Sequence, residues 1–225
     1  MNTIIQSLIN EVIQIEISGK KLISGTVLDV GSDMIVLFNG ADFVYVPIVH
    51  IQRFWADRNN ENDIKAPTEF PSIVAEESKE ALSFGEVLTQ AKGKFVEIYV
   101  TGAQPLHGYI TSIMDNYVVF QSPIYKTMYI SLNHLKWLIP YAQNERPYGL
   151  DNQSFSFQPN DESLANTLEV QVGKIKNKIV VLNIGGNKSY VGKINNVEAQ
   201  IVEVQTARTQ SIFLNIDHIK TLHQV

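Results

Sequence analysis

The 225-residue chain contains no cysteine, which excludes disulfides, thiolate metal sites and cysteine nucleophiles. No stretch approaches the roughly 18 consecutive apolar residues that a membrane-spanning helix needs. Charge of one sign is scarce as well. With 18 basic and 23 acidic residues the net charge is −5, too weak a field to gather nucleic acid or an anionic membrane over the whole surface. Met1 to Asn10 has no basic stretch and no small-residue cleavage pattern, so no signal peptide is expected and synthesis in a cytoplasm follows. What is present is an ordinary globular composition, 44% hydrophobic and 18% charged, which argues against disorder over most of the chain.

An internal repeat organises that composition. The segments IEISGKKLISGTV from Ile15, IYVTGAQPLHGYI from Ile98 and LNIGGNKSYVGKI from Leu182 align without a gap. Gly19, Gly102 and Gly186 thereby each precede Gly25, Gly108 and Gly192 by six residues. Further on, VPIVHIQRF, ISLNHLKWL and LNIDHIKTL put His50, His134 and His218 at one repeat position, with a period of 83 to 84 residues. Each copy opens with apolar residues at helical spacing: Ile4, Leu8 and Ile9; Phe84, Val87 and Leu88; Leu164 and Leu168. Ser83 and Glu86 have the spacing of a capping box.

Strand patterns follow at 12–17, 95–100 and 179–184, then after the second glycine at 26–30, 109–113 and 193–197, with three further short runs per copy. A leading helix with about five short strands predicts a mainly β chain of three tandem five-stranded barrels, because closure removes free sheet edges. The barrels are expected over residues 1–56, 82–141 and 164–225. The segments 57–81 and 142–163, acidic and proline-containing, read as linkers. Phe70, Ile73, Val74, Tyr148, Phe155 and Phe157 suit them to packing along the barrels.

The glycine turn, the second glycine, a run such as MIVL or YVVF and the final histidine-apolar pair resemble an Sm-like barrel, with the YKHAI-type end of bacterial Hfq as a short parallel. More closely, SLINEVIQIEISG, the GG followed by VGK, and NIDHIKTL resemble the repeated region of spore coat protein B of endospore-forming bacilli. That resemblance covers all three copies. It implies Sm-like barrels in a structural protein of the spore coat, with other coat proteins as partners and no membrane contact. The Ser/Lys-rich tail of that coat protein has no counterpart after Val225, so functions residing in such a tail are not expected of this chain. The Sm-like resemblance also implies pairing of one barrel's fourth strand with the next barrel's fifth, and hence self-association through strand edges. Pro47 removes a backbone donor from the first such edge, so the stronger pairings are expected through residues 128–132 and 211–216.

Candidate chemistry is sparse. Three equivalent histidines suggest metal or acid–base work, but no carboxylate or second histidine recurs beside them, and a turn-stabilising role is expected. Gly185 and Gly186 lack the spacing and the following helix of a phosphate loop; a tight turn explains them. Glu16 and Glu97 are equivalent, yet the third copy has Asn183 there, so no shared carboxylate chemistry follows. Neither an enzyme nor a cofactor is expected.

A second reading is RNA binding through the third copy, whose charge is +3, using Lys174, Lys176, Lys178 and Lys193. Against it, Val49, Asn133 and Asp217 stand where the Hfq motif has lysine, and the Arg-Gly pair of Sm proteins is absent from all three copies; nucleic acid is not the expected partner. The leading expectation is a multivalent protein-binding scaffold, with Tyr125 and Tyr141 as the exposed aromatic contacts.

Overall fold

The computed structural model describes residues 3–68, 71–73, 82–102, 104–142, 145, 147–150, 163–186, 188–208 and 210–225. The first copy runs α1 (Thr3–Gln6), β1 (Val12–Ile17), β2 (Lys21–Val30), β3 (Met34–Phe38), β4 (Phe43–Pro47) and β5 (Ile51–Ala56). The second has α2 (Phe84–Ala91), β6 (Phe95–Tyr99), β7 (Leu106–Ile113), β8 (Tyr117–Ser122), β9 (Lys126–Ser131) and β10 (Trp137–Pro140). The third has α3 (Leu168–Lys174), β11 (Ile179–Leu182), β12 (Tyr190–Glu198), β13 (Ile201–Gln205), β14 (Ser211–Asn215) and β15 (Thr221–Gln224). Mainly β structure is therefore observed, with a helix and five strands in every copy. The strand pairs are antiparallel.

Contacts divide the chain into two compact units that cut across the copies. One comprises Met1–Ala91, Val96–Ile98 and Lys136–Asn144. Its strands run β10-β4-β3-β2-β1-β5. The other comprises Lys92–Phe95, Tyr99–Leu135 and Glu145–Val225, with strands in the order β14-β13-β12-β11-β15-β9-β8-β7. In the first and third copies the strand order is thus fourth-third-second-first-fifth.

The closed barrels expected from the sequence are not what forms. Within the first and third copies the fourth and fifth strands do not pair with each other, and the sheet stays open. The fourth strand's outer edge is taken by the fifth strand of the following copy. In the first unit β10 lies on β4 with Leu138 opposite Tyr45. In the second, β15 lies on β9 with Thr221, Leu222 and His223 opposite Ile130, Tyr129 and Met128. Ser131 N donates to Lys220 O at this junction (3.0 Å). The equivalent residue in β4 is Pro47, which has no amide hydrogen to donate. Residues 211–216 depart from expectation: β14 pairs with β13 alone among the described residues.

The leading helices bind the copies further. Ser83 and Glu86 form the reciprocal cap that their spacing predicts, Ser83 N donating to Glu86 Oε2 (2.8 Å) and Glu86 N to Ser83 Oγ (3.3 Å). Phe84 N at the start of α2 donates to Asp33 Oδ1 (2.8 Å), in the first copy's β2–β3 turn. Leu168 N at the start of α3 donates to the equivalent Asn116 Oδ1 (2.8 Å). From the first linker, Ile73 is buried, and its carbonyl accepts from the buried Tyr45 hydroxyl (2.7 Å). Tyr148 is exposed; Phe70, Val74, Phe155 and Phe157 lie outside the described residues.

The second unit's core shows why the copies interlock. Leu168, Val172, Val180, Leu182, Ile194 and Leu222 of the third copy pack in one cluster with Tyr117, Val119 and Tyr129 of the second. Successive strand residues point to opposite faces, so β8 and β9 can serve their own copy with one face and the next copy with the other. Their burial on both faces reads as continuous apolar runs, as in YVVF.

Candidate functional site

The repeat-signature glycines and histidines lie at equivalent structural positions with different surroundings. The second glycines do not precede a strand, as the sequence suggested, but sit inside β2, β7 and β12. A Cβ at Gly25 would come within 3.0 Å of Phe38 O, and one at Gly108 or Gly192 would collide with the carbonyls of Gln121 or Gln205. A hydrogen side chain is needed there because the bent second strand brings its neighbour's backbone too close for any other. Gly19 (φ 95°) and Gly102 (φ 88°) occupy the left-handed region after the first strand, and in the third copy Gly185 (φ 77°), not Gly186, takes that role.

His50, His134 and His218 each end a 3-10 turn before the fifth strand. His50 is buried, its Nδ1 3.3 Å from Ser18 Oγ; His134 is half-buried, its Nε2 2.8 Å from Asp217 O; His218 is exposed. Three positions so differently solvated do not share one chemistry. Among the described residues no group of three or more His, Asp or Glu is placed to hold a metal ion.

The lysines of the RNA reading are exposed. Lys174 Nζ donates to Ser163 O and Lys176 Nζ to Asn196 Oδ1, both at 3.0 Å. Of the aromatic contacts, Tyr141 is half-buried. Half-buried Tyr125 lines a cleft of about 380 Å³ in the second unit with Leu106, His107, Ile124, Tyr148 and Ile184. The Tyr148 ring meets His107 edge-on at 5.7 Å, and Tyr125 meets His223 at 6.3 Å. The wall of this cleft is concave and more apolar than polar, with aromatic edges.

One set of residues went unread in the sequence. Tyr45, Tyr129 and Phe213 recur every 84 residues in the fourth strands, and Phe54, Leu138 and Leu222 recur at the same interval in the fifth strands. The structure pairs Leu138 with Tyr45 and Leu222 with Tyr129. The signal was an aromatic held at the repeat period, masked because neighbouring strand positions are also apolar. Tyr117, which shares this buried face, has its hydroxyl pushed up to about 12, chiefly by burial, with Tyr129 adding to the rise and its bond to Ala165 O (2.6 Å) opposing it.

Fold and contacts together define a mainly β protein in which β10 and α2 pack on the strands of residues 12–56, and β15 and α3 on those of residues 106–131. The chain belongs to the YwrJ family. It is 33% identical over 221 residues to the uncharacterized protein YwrJ of Bacillus subtilis (strain 168), covering 96% of both chains. Residues 167–222 match the model of the YwrJ third domain. The chain is also 23% identical over 145 residues to spore coat protein B of the same strain, a match covering 64% of this chain and 36% of that protein. This second similarity is distant and links the chain to a spore-related protein. Among the described residues no helix is long and apolar enough to cross a membrane.

Proposed function

We propose that the chain is a non-enzymatic structural protein of the spore coat, in which three Sm-like copies act as a multivalent scaffold for other coat proteins. The observation that carries this reading is the similarity to spore coat protein B over 145 residues, joined to a fold built from strand lending between copies. The Sm-like reading of each copy is supported by its leading helix, by its five short strands, and by the fourth-third-second-first-fifth order of the first and third copies. For binding, the cleft beside Tyr125 offers an aromatic-lined recess on a rigid sheet, the kind of surface on which a few anchors dominate affinity. Linked binding modules raise avidity without strong individual contacts.

The test is made in a sporulating bacillus carrying a tagged copy of the chain. The tagged protein is expected to appear in the mother cell, to pellet with purified spores and to be released only by coat-extracting detergent under reducing, alkaline conditions. Recovery as a soluble protein of vegetative cells would overturn the coat assignment. Filter binding of single-stranded RNA that persists at moderate salt would replace it with the nucleic-acid reading.

A further inference from the structure

The two strand-lending junctions share one register, and among the described residues one half of such a junction stands unpaired at β14 and the other at β5. On the receiving face of the first copy stand Met34, Val36 and Tyr45; on that of the second copy stand Tyr117, Val119 and Tyr129. All six are buried, none more than 3% exposed. The third copy's residues at these positions, 84 further on, are Ile201, Glu203 and Phe213. Ile201 is 39% exposed and Phe213 is 67% exposed. The outer edge of β14 carries no strand among the described residues.

At the other end the lending half is bare. Ile4 of α1 is 69% exposed, whereas Val87, its counterpart in α2, is 0% exposed and Gln171 in α3 is 3% exposed. β5, the first copy's fifth strand, likewise ends its sheet. A large apolar side chain at a position buried twice within the same chain, beside an open strand edge, marks an interface rather than an ordinary surface.

We infer that the third copy's outer face receives the first copy of a second molecule of this chain, β14 pairing with β5 so that Phe213 lies opposite Phe54. The register is fixed by repetition: Leu138 opposes Tyr45, and Leu222 opposes Tyr129, each one repeat apart. The Ile4 face of the incoming molecule then covers Ile201 and Phe213, as the leading helices of the second and third copies are covered within one chain. The contact is heterologous, since tail and head are different surfaces, so a second molecule leaves a further tail and head open to a third.

Glu203 sets the strength of this contact. It occupies the place of Val36 and Val119, and its carboxylate, held by Ser211 and Asn195, stays charged below the usual carboxylate range. Covering it costs free energy that the internal junctions do not incur, so association between chains is weaker than the internal junctions and depends on concentration.

The inference deepens the scaffold reading by naming a second copy as a partner, but it stands or falls separately. Loss of self-association leaves coat fractionation untested, and a soluble vegetative protein could still self-associate.

Sedimentation velocity of the full chain from micromolar to high-micromolar concentration tests it. Wild type is expected to shift reversibly to larger species, and Phe213→Asp or Ile4→Asp each to weaken association at least about tenfold. Glu203→Val is expected to strengthen it by about tenfold. Ile4 and Phe213 are exposed and Glu203 is half-buried, and circular dichroism confirms that each variant is folded. The decisive arm mixes the Phe213→Asp and Ile4→Asp chains: an intact head meets an intact tail, so one-to-one dimers form at concentrations where each variant alone stays monomeric. A mixture that stays monomeric, association unaffected by Ile4→Asp, or a Glu203→Val chain monomeric throughout would each overturn the inference.

Discussion

Replacing Tyr129 by alanine should destabilise the second unit severely, whereas the same change at Phe213, its repeat equivalent, should cost almost nothing. Tyr129 is 3% exposed, lies opposite Leu222 across the β9–β15 junction, and meets the Tyr117 ring at 6.0 Å and 62°. Truncating a buried aromatic ring removes its transfer free energy and leaves a cavity, together about 3–5 kcal/mol. Phe213 stands at 67% exposure, with no strand beside β14's outer edge among the described residues, so its removal should stay within about 0.5 kcal/mol in the dilute chain. Both residues belong to the same compact unit, and one unfolding transition can report both. For a domain of this size about 1 kcal/mol moves the midpoint by roughly 2–4 °C, so Tyr129→Ala should lower Tm by roughly 6–20 °C and Phe213→Ala by no more than roughly 2 °C. Calorimetry or urea unfolding at low micromolar concentration measures this. Equal losses in the two variants, or a loss below about 1 kcal/mol for Tyr129→Ala, would refute the claim that the lent strand is what buries the fourth-strand aromatic.

Asn116 ties the second copy's β7–β8 turn to α3 by accepting from Leu168 N and donating to both carboxylate oxygens of Glu169 at 3.1 Å; Asn116→Ala should cost about 1–2 kcal/mol in chemical unfolding. Partial burial pushes the Glu169 carboxyl up, but bonds from its own backbone amide, Thr167 and Asn116 outweigh it and leave the group below its usual value. The stability it contributes is therefore present above about pH 4.5 and lost as pH falls through the lower folded value; carboxyl NMR titration should show the depression, and Asn116→Ala should relieve it. Glycines should separate by role. Gly173→Ala in α3 meets nothing within 4 Å and should stabilise by up to about 1 kcal/mol. Gly192→Ala forces a Cβ into Gln205 O and should destabilise by about 1–3 kcal/mol in the same thermal assay.

The elements were legible because their signals are local. Ser83 and Glu86 announce a helix start by spacing alone, and the runs MIVL and YVVF announce strands by apolar content. The repeat made each signal three-fold. Barrel closure was misread because the sequence of one copy cannot say whose edge its fifth strand will meet: WLIP and TLHQ suit pairing within their copy as well as pairing with β4 and β9. The second glycines were misplaced for a related reason. A strand bent enough to bring Gln121 O against Gly108 is a property of two strands together, and the sequence shows only a glycine where a strand was expected to begin. What did betray the junctions was the apolar content of β3 and β8. A strand with one wet face alternates, whereas MIVLF and YVVF do not, so something outside the copy had to cover them. The third copy's equivalent, IVEVQ, alternates.

That alternation bears on what a folding unit is in this chain. Cutting at the repeat boundaries would leave β4 without β10 and β9 without β15, exposing the Tyr45 and Tyr129 faces at once. The compact units accordingly ignore those boundaries: Lys136–Asn144, from the second copy, belongs with the first, while Tyr99–Leu135 belongs with the third. A repeat protein of the stacked kind distributes its stability over nearest-neighbour interfaces and needs atypical terminal copies to stay soluble. The third copy differs from the other two at this face, with Glu203 where they have Val36 and Val119 on the receiving face. It keeps Phe213 where the others keep tyrosine. A face meant only to end the array has no use for a phenylalanine at its centre, and a face meant to bind as firmly as the internal junctions has no use for a glutamate. On the inference drawn above, the two together give a face that would pair with a second copy more weakly than the internal junctions pair, and only at raised concentration.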